Sequence, residues 1–338
     1  MKKLTCCPGT LAPGFETYSP AARKRLFGGK SISHVVDFTY DDGQYAVIAE
    51  NTKHISVSGV QEKLSGLIDN GKIRLAAKGE QGSYILKPAP ENKALRDRKQ
   101  IPANEHLTMQ IAEQVYKLPT AANGMIFFAD DVPVYITRRF DIQADGIKIP
   151  QEDFASLMQK TSETHGDNFK YTGSYEDIAG KIKELIPAWQ IEMGKFFALV
   201  LFNYLFSNGD AHLKNFSVQQ TKDGDYILAP AYDLINTSLH TNDEDFALEK
   251  GLSATMPKSS IYESKGHPCQ DDFISFGKLI GLAEGRVSKI MRPFLTEQPK
   301  AIELIERSFL ETKQKRMYLA SYRERLSRLQ RQSLSSPE

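Results

Sequence analysis

Apolar positions follow two different periods, and the period changes near residue 142. Before that point the runs are short and alternate. Ile55–Ile68 begins and ends with strand-like alternation, and Asp69-Asn70-Gly71 then predicts a tight hairpin turn. Ser83-Tyr84-Ile85-Leu86-Lys87-Pro88 reads as a further strand. Met125–Phe128 and Val134–Thr137 read as two more, joined by Ala129-Asp130-Asp131. One helix interrupts them. Pro102-Ala103-Asn104-Glu105 opens it with Asn104 as N-cap, and Leu107, Ile111 and Val115 recur at four-residue steps as a buried stripe. From residue 151 the pattern is helical, with one sheet-like interruption at 216–232 around Asp223-Gly224. Phe196–Phe202 is apolar nearly all round, as a buried helix should be. Tyr226–Ala229 reads as a strand, and Tyr318, Tyr322 and Leu326 share one face of a last helix. The expectation is an α+β protein of two lobes. An irregular segment, 1–50, precedes a β-rich lobe at 51–142; a mostly helical lobe at 143–332 and a disordered tail at 333–338 follow.

Bulk composition narrows the function classes. The 338 residues can bury a sizeable core, and 41% hydrophobic with 25% charged is ordinary for a soluble globular chain. A net charge of +1 implies no overall pull toward nucleic acid or membrane. The apolar runs are too short to span a bilayer, and the proline and glycine after Met1–Thr5 leave no signal-peptide core. Cys6, Cys7 and Cys269 make no disulfide framework, so a reducing cytoplasm is expected. Adjacent Cys6 and Cys7 lack the gap of a zinc knuckle and predict structural packing. Lys313, Lys315, Arg316, Arg323, Arg325, Arg328 and Arg331 gather on the last helix. They read as a solvated basic face, with a docking surface for an acidic partner or nucleic acid as the alternative.

The chemistry concentrates in Leu205-Phe206-Ser207-Asn208-Gly209-Asp210-Ala211-His212-Leu213-Lys214-Asn215-Phe216. So polar a cluster makes little sense in a core, where each buried charge must be paired. It makes sense as a loop held by a rigid helix at the edge of a cleft. Asp210 and Asn215 stand at the Asp-x-x-x-x-Asn spacing of a kinase catalytic loop, and Asp233 follows in Ala231-Tyr232-Asp233-Leu234. Phosphoryl transfer wants such a set: one aspartate to take or orient the proton of the attacking hydroxyl, and an asparagine oxygen with a second aspartate to hold magnesium. Two other readings remain open on spacing alone. One is a solvated loop with a capping aspartate, and the other a metallohydrolase using His212, Asp210, Asp233 and His240.

Upstream, Ser56, Ser58 and Gly59 make a small-residue loop whose backbone N–H groups could cradle phosphates, although a plain hairpin reads equally well. Lys87 ends its strand where a kinase places its phosphate-pairing lysine; an exposed strand-end lysine is the plain alternative. Glu105 could pair with Lys87, or could sit in the first helical turn for the sake of the dipole.

Taken together, these residues resemble the HipA family of bacterial toxin–antitoxin kinases. The matching pieces are Ser-Val-Ser-Gly-Val-Gln-Glu-Lys at 56–63, Tyr-Ile-Leu-Lys-Pro at 84–88, Asn-Glu-His at 104–106 and Arg-Arg-Phe-Asp at 138–141. Pro-Gln-Glu-Asp at 150–153, Tyr-Glu-Asp at 175–177, Asn-Gly-Asp-Ala-His-Leu-Lys-Asn-Phe at 208–216 and Pro-Ala-Tyr-Asp at 230–233 continue the match. The resemblance spans roughly residues 50–310 and implies a two-lobed protein-kinase-like fold acting on ATP with Mg2+.

By that resemblance Asp210 is the catalytic base, and Asn215 and Asp233 are the magnesium ligands. Lys87 binds phosphate, and Ser58, Gly59, Val60, Gln61, Glu62 and Lys63 form the loop over the phosphates. Arg138, Arg139 and Phe140 form the adenine-side hinge, with His212, Leu213, Lys214 and Tyr232 also at the nucleotide. Ser56 and Ser58 correspond to autophosphorylation sites; two apart in an extended backbone they share a face, and a phosphoserine there would repel the triphosphate. The implied activity is that of a serine/threonine protein kinase whose target is a protein serine, typically on an aminoacyl-tRNA synthetase. A HipB-like DNA-binding antitoxin is the implied partner, so that DNA is met only through it and no membrane is involved.

The chain departs from the full-length pattern in two places. Only some fifty residues precede the Ser-Val-Ser-Gly loop, which suggests the short HipT-like form with a separate HipS-like small protein. Arg138 also stands where the full-length type is commonly acidic. A small-molecule or lipid kinase on a related scaffold, and a silent antitoxin-binding module, are the competing readings. The presence of Lys87, Asp210, Asn215 and Asp233 together weighs against the silent module.

Overall fold

A computed structural model describes residues 4–39, 62–143 and 145–332. The chain forms two compact units. The first takes residues up to Val115, Thr120–Lys148 and Lys300–Arg316; the second takes Tyr116–Pro119, Ile149–Pro299 and the residues from Met317 onward. A single cut at residue 142 does not provide for the return of 300–316 to the first unit.

The first unit is built on a five-stranded antiparallel sheet. Its strands are β1 (Leu64–Asp69), β2 (Lys72–Leu75), β3 (Tyr84–Lys87), β4 (Asn123–Phe127) and β5 (Pro133–Arg138), in the order β2-β1-β3-β5-β4. Asn70 and Gly71 take φ of 45° and 76°, the left-handed pair that a two-residue hairpin needs to match strand twist. The register sets Leu64 opposite Leu86, and Lys87 opposite Tyr135. A Cβ at Gly66 would lie 2.6 Å from Leu86 Cδ1, so a side chain there would force the leucine to move.

Residues 4–39 differ from the irregular flap expected of them. Pro20–Phe27 is a helix (α1), capped by Ser19 and ended by Gly28 in the left-handed conformation. Tyr18, Leu26, Phe27, Ile32 and Val36 join Leu64, Leu86, Val134 and Ile136 in one core. The Tyr18 hydroxyl donates to the Met125 carbonyl at 2.7 Å. The apolar positions here follow no period, so the pattern that reveals strands and helices could not reveal this layer. The three cysteines are free and buried, and Cys7 Sγ accepts from the backbone N–H groups of Gly9 and Ser19.

Helix α2 (Ile101–Gln114) is buried from Ile101 to Ala112. It starts earlier than expected. Gln100 precedes it, without a side-chain cap, and Asn104 lies fully buried inside it, so Asn104 is not the N-cap. Glu105 is consequently in the second turn, where the dipole at the helix start gives it little support.

The second unit carries a small sheet of β6 (Gln151–Asp153), β7 (Ser217–Gln220) and β8 (Tyr226–Leu228), in that order and antiparallel. Its main helices are α3 (Tyr175–Leu185), α4 (Trp189–Leu205), α5 (Gln270–Leu279) and α6 (Glu284–Met291). Helix α4 is the unit's axis: Phe196, Phe197, Val200, Leu201, Phe202 and Leu205 are at most 1% exposed. Glu192 ties the small sheet to it, accepting from Lys195 at 2.7 Å and from the Leu228 N–H at 3.1 Å.

Helices α7 (Pro299–Arg307) and α8 (Thr312–Leu329) end the described chain. Tyr318, Tyr322 and Leu326 are buried, and Tyr322 stacks on Phe206. The basic residues of α8 are not simply a solvated face. Arg325 is buried and pairs with Asp245, Arg323 pairs with Glu297, Arg328 with Asp245 and Glu324, and Lys313 with Asp97. Asp97, Asp245 and Glu297, distant in sequence and invisible to helical periodicity, pair with four of these basic residues. Among the described residues no helix is long and apolar enough to cross a membrane.

Candidate active site

In the first unit, strand and helix bring one ion pair together. Lys87 ends β3 with its Nζ 2.6 Å from Glu105 Oε1, and both side chains are 4% exposed. The ammonium also lies 5.3 Å from the centre of the Tyr135 ring, its partner in register. Lys87 is therefore not an exposed strand-end lysine. Arg138 and Arg139 leave the sheet at the end of β5; their N–H groups donate to Ala122 and Ser83 carbonyls, and the Arg139 guanidinium forks onto Asp141 at 2.5 and 3.0 Å. Phe140 is half-buried, as are Glu62 and Lys63 just before β1. Ser56, Ser58, Gly59, Val60 and Gln61 lie outside the described residues.

In the second unit, α4 ends at Leu205 and Ser207 turns the chain with φ of 52°. Asn208 folds back on Asn203 with backbone and side-chain hydrogen bonds of 2.8 and 2.9 Å. The Gly209 N–H donates to Thr237 Oγ1. A side chain at Gly209 would collide with Asp243, which a built Cβ approaches to 2.3 Å. These constraints present Asp210 with its side chain 51% exposed, on a loop whose neighbours are buried. The Asp210 main-chain carbonyl accepts the His212 N–H at 2.8 Å, and a 3-10 turn, Leu213–Asn215, follows. Asn215 Oδ1 accepts the same His212 N–H at 3.1 Å, which leaves that oxygen a second lone pair.

Electrostatics differ between the two loop groups. Burial first, then nearby Asp243 and Asp233, raise the Asp210 carboxyl above the usual range; the Tyr171 hydroxyl and Lys170 oppose the rise. Half of the side chain still meets water, so solvent moderates the effect. Burial, then Lys170, lower His212 to about 3, so its ring is neutral at physiological pH. Its Nε2 stands 3.9 Å from Asp210 Oδ1, too far for a hydrogen bond.

Asp233 follows β8 by five residues and takes φ of 55°, a conformation a non-glycine residue holds only when its surroundings fix it. Those surroundings include Tyr232, whose hydroxyl reaches the Lys214 carbonyl at 2.8 Å and Ser217 Oγ at 2.5 Å. Burial raises the Tyr232 phenol, so it stays protonated. Asn215 and Asp233 offer hard oxygen donors, the chemistry magnesium prefers, and magnesium characteristically keeps waters and phosphate oxygens for its other positions. Among the described residues no three His, Cys, Asp or Glu side chains gather as a metal set. The metallohydrolase arrangement of His212, Asp210, Asp233 and His240 is thus not assembled.

One participant escaped the sequence reading. The Tyr171 hydroxyl donates to Asp210 Oδ1 at 2.7 Å, from a short turn 39 residues earlier. No motif surrounds Tyr171; only the fold could reveal it.

The sheet-based first unit, with its buried lysine–glutamate pair, and the helical second unit, with its Asp/Asn loop, make up a kinase-like two-lobed fold. The chain belongs to the HipA-like family: the model described as "HipA-like C-terminal domain" matches residues 55–302. A Haemophilus influenzae protein named as an inferred kinase is 30% identical over 301 residues, 84% of each chain. The inferred kinase Y4mE of Sinorhizobium fredii is 28% identical over 199 residues, 54% of this chain but 42% of its own. Among solved structures, Shewanella oneidensis HipA, in complex with HipB and operator DNA, is similar with a TM-score of 0.58. That match has 19% identity and covers 80% of this chain and 63% of that one. The Helicobacter pylori proinflammatory kinase CtkA is similar with a TM-score of 0.52 and 14% identity, covering 87% of this chain and 95% of CtkA.

Proposed function

We propose that this chain is an ATP-dependent protein kinase that phosphorylates a serine or threonine hydroxyl. The observation that carries the reading is the buried Lys87–Glu105 pair. A buried ion pair is a poor stabilising device, because desolvation offsets most of the Coulomb attraction. Phosphoryl transfer gives it a purpose: the glutamate holds the lysine for the phosphates. In the second unit Asp210 takes the acceptor proton, and Asn215 and Asp233 hold magnesium, which neutralises charge on the phosphates. Glu62, Lys63 and the loop before them cover the phosphates, while Arg138, Arg139 and Phe140, with His212, Leu213, Lys214 and Tyr232, complete the nucleotide contacts. The Shewanella oneidensis HipA–HipB complex supports a HipB-like antitoxin as partner; a toxin role with an aminoacyl-tRNA synthetase as target class is part of the proposal itself.

Phosphoproteomes of cells expressing wild type and Asp210→Asn test the acceptor. The expected result is one or a few protein serines or threonines phosphorylated only with wild type. Peptide mass spectrometry of the purified protein incubated with Mg-ATP should find phosphate at Ser56 or Ser58, absent in Asp210→Asn. Phosphate found only on a small molecule or lipid would replace the protein-kinase reading.

Asp233→Ala should weaken Mg-ATP binding. A ligand at about one hundred times its Kd stabilises the native state by about 2.7 kcal/mol, and most of that gain should vanish with the carboxylate. Thermal shifts with and without Mg-ATP measure it; an undiminished shift removes Asp233 from the metal site.

A further inference from the structure

We propose that Tyr171 is a positioning residue for Asp210: its hydroxyl holds Oδ1 and so leaves Oδ2 as the oxygen that meets the acceptor hydroxyl. The inference rests on the phosphotransfer reading above. In the reaction, the acceptor O–H proton passes to Oδ2 as the acceptor oxygen bonds to the γ-phosphorus. The bond from that phosphorus to the β–γ bridging oxygen breaks, and ADP leaves.

The geometry is specific. The Tyr171 hydroxyl is 2.7 Å from Oδ1, a short charge-assisted hydrogen bond. A carboxylate that is half-exposed at the end of a loop can rotate about its last bond, and one oxygen fixed by a phenol fixes the other. Tyr171 is itself fixed on three sides. Its ring meets His212 edge-on at 5.2 Å, and Lys170 Nζ lies 4.9 Å from its centre. Its carbonyl accepts the Glu249 N–H at 3.0 Å.

The same contact runs on as a ladder. The Lys250 N–H donates to Gly173, and the Tyr175 and Glu176 N–H groups donate to Gly251 and Leu252. The tyrosine is thus an anchored part of the fold rather than a side chain resting on the loop. The charged and titratable groups around the carboxylate are Lys170, Tyr171, His212, Asp233 and Asp243. Of these, Tyr171 donates a hydrogen bond to a carboxylate oxygen. Burial, then Asp210 itself, raise the phenol, so it remains a donor through the physiological range.

The test is a double-mutant cycle on Mg-ATP turnover to ADP and phosphate, with water as the acceptor. Tyr171→Phe keeps the ring against His212 and removes only the hydroxyl. In the wild-type background kcat should fall about ten- to a hundredfold, the loss of one hydrogen bond to a charged group, with KM for ATP unchanged. In an Asp210→Asn background the same change should cost nothing further, because the group it positions no longer acts. Equal losses in both backgrounds would show a structural role, and an unchanged or raised kcat in wild type would equally overturn the proposal. A second readout needs no activity: 3-fluorotyrosine placed at 171 should shift its fluorine resonance in Asp210→Ala. An unmoved resonance overturns the contact itself. Wild-type turnover no faster than Asp210→Asn would instead sink the phosphotransfer reading, while the fluorine result would stand by itself.

Discussion

Asp210→Asn is expected to reduce phosphoryl transfer by about a hundred- to ten-thousandfold, the usual contribution of a general base, without lowering Tm. The loop does not depend on the charge. Its backbone contacts, from Gly209 to Thr237 and from His212 to the Asp210 carbonyl, involve no carboxylate oxygen. The amide oxygen of asparagine can still accept from Tyr171. The charge is, if anything, a burden on the fold, since burial and the nearby Asp243 and Asp233 disfavour it. Transfer of labelled phosphate and a melting curve decide the matter together. An inactive variant that also melts several degrees lower would make Asp210 a structural residue, and full activity would remove it from the mechanism.

Removing Glu105 should have the largest effect on stability. Glu105→Ala takes away the carboxylate that faces a buried ammonium at 2.6 Å. Breaking a buried pair from one side typically costs about 3 to 5 kcal/mol, because the remaining charge stays desolvated. The cation–π contact with Tyr135 recovers only a part of this. Denaturant unfolding measures the loss, and phosphoryl transfer should fall with it. A double variant, Lys87→Met with Glu105→Leu, separates fold from function. Replacing both charges with apolar groups of similar volume is often neutral or stabilising, so Tm should recover. Activity should not recover, because no cation remains for the phosphates. If activity returned with stability, the pair would be structural and the kinase reading of Lys87 would fail. A double variant as unstable as Glu105→Ala would instead show that the site requires charge for folding.

The sequence alone determined the β-rich and helical halves, because strands with alternating burial and a helix as apolar as α4 write their periods into local order. It determined the turn at Asn70-Gly71, where positive φ demands those residue types. It also brought Asp210, Asn215 and Asp233 forward, since metal and base chemistry restricts which side chains can serve and the spacing of Asp210 and Asn215 along one loop is a local property.

What it could not determine was pairing across distance. Whether Lys87 meets Glu105 or ends in solvent depends on how α2 packs on β5 and on the register of β3 with β5. The helix start misled the reading of Asn104, because a buried asparagine bonded with Thr108 looks from its neighbours like a cap. Residues 4–39 were missed because they fill the core one side chain at a time, without a period. The basic helix α8 looked like a charged face because Asp245, Glu297 and Asp97 are far away in sequence. Tyr171 was invisible for the same reason: a tyrosine acquires its role only when tertiary structure sets its hydroxyl 2.7 Å from a carboxylate 39 residues away.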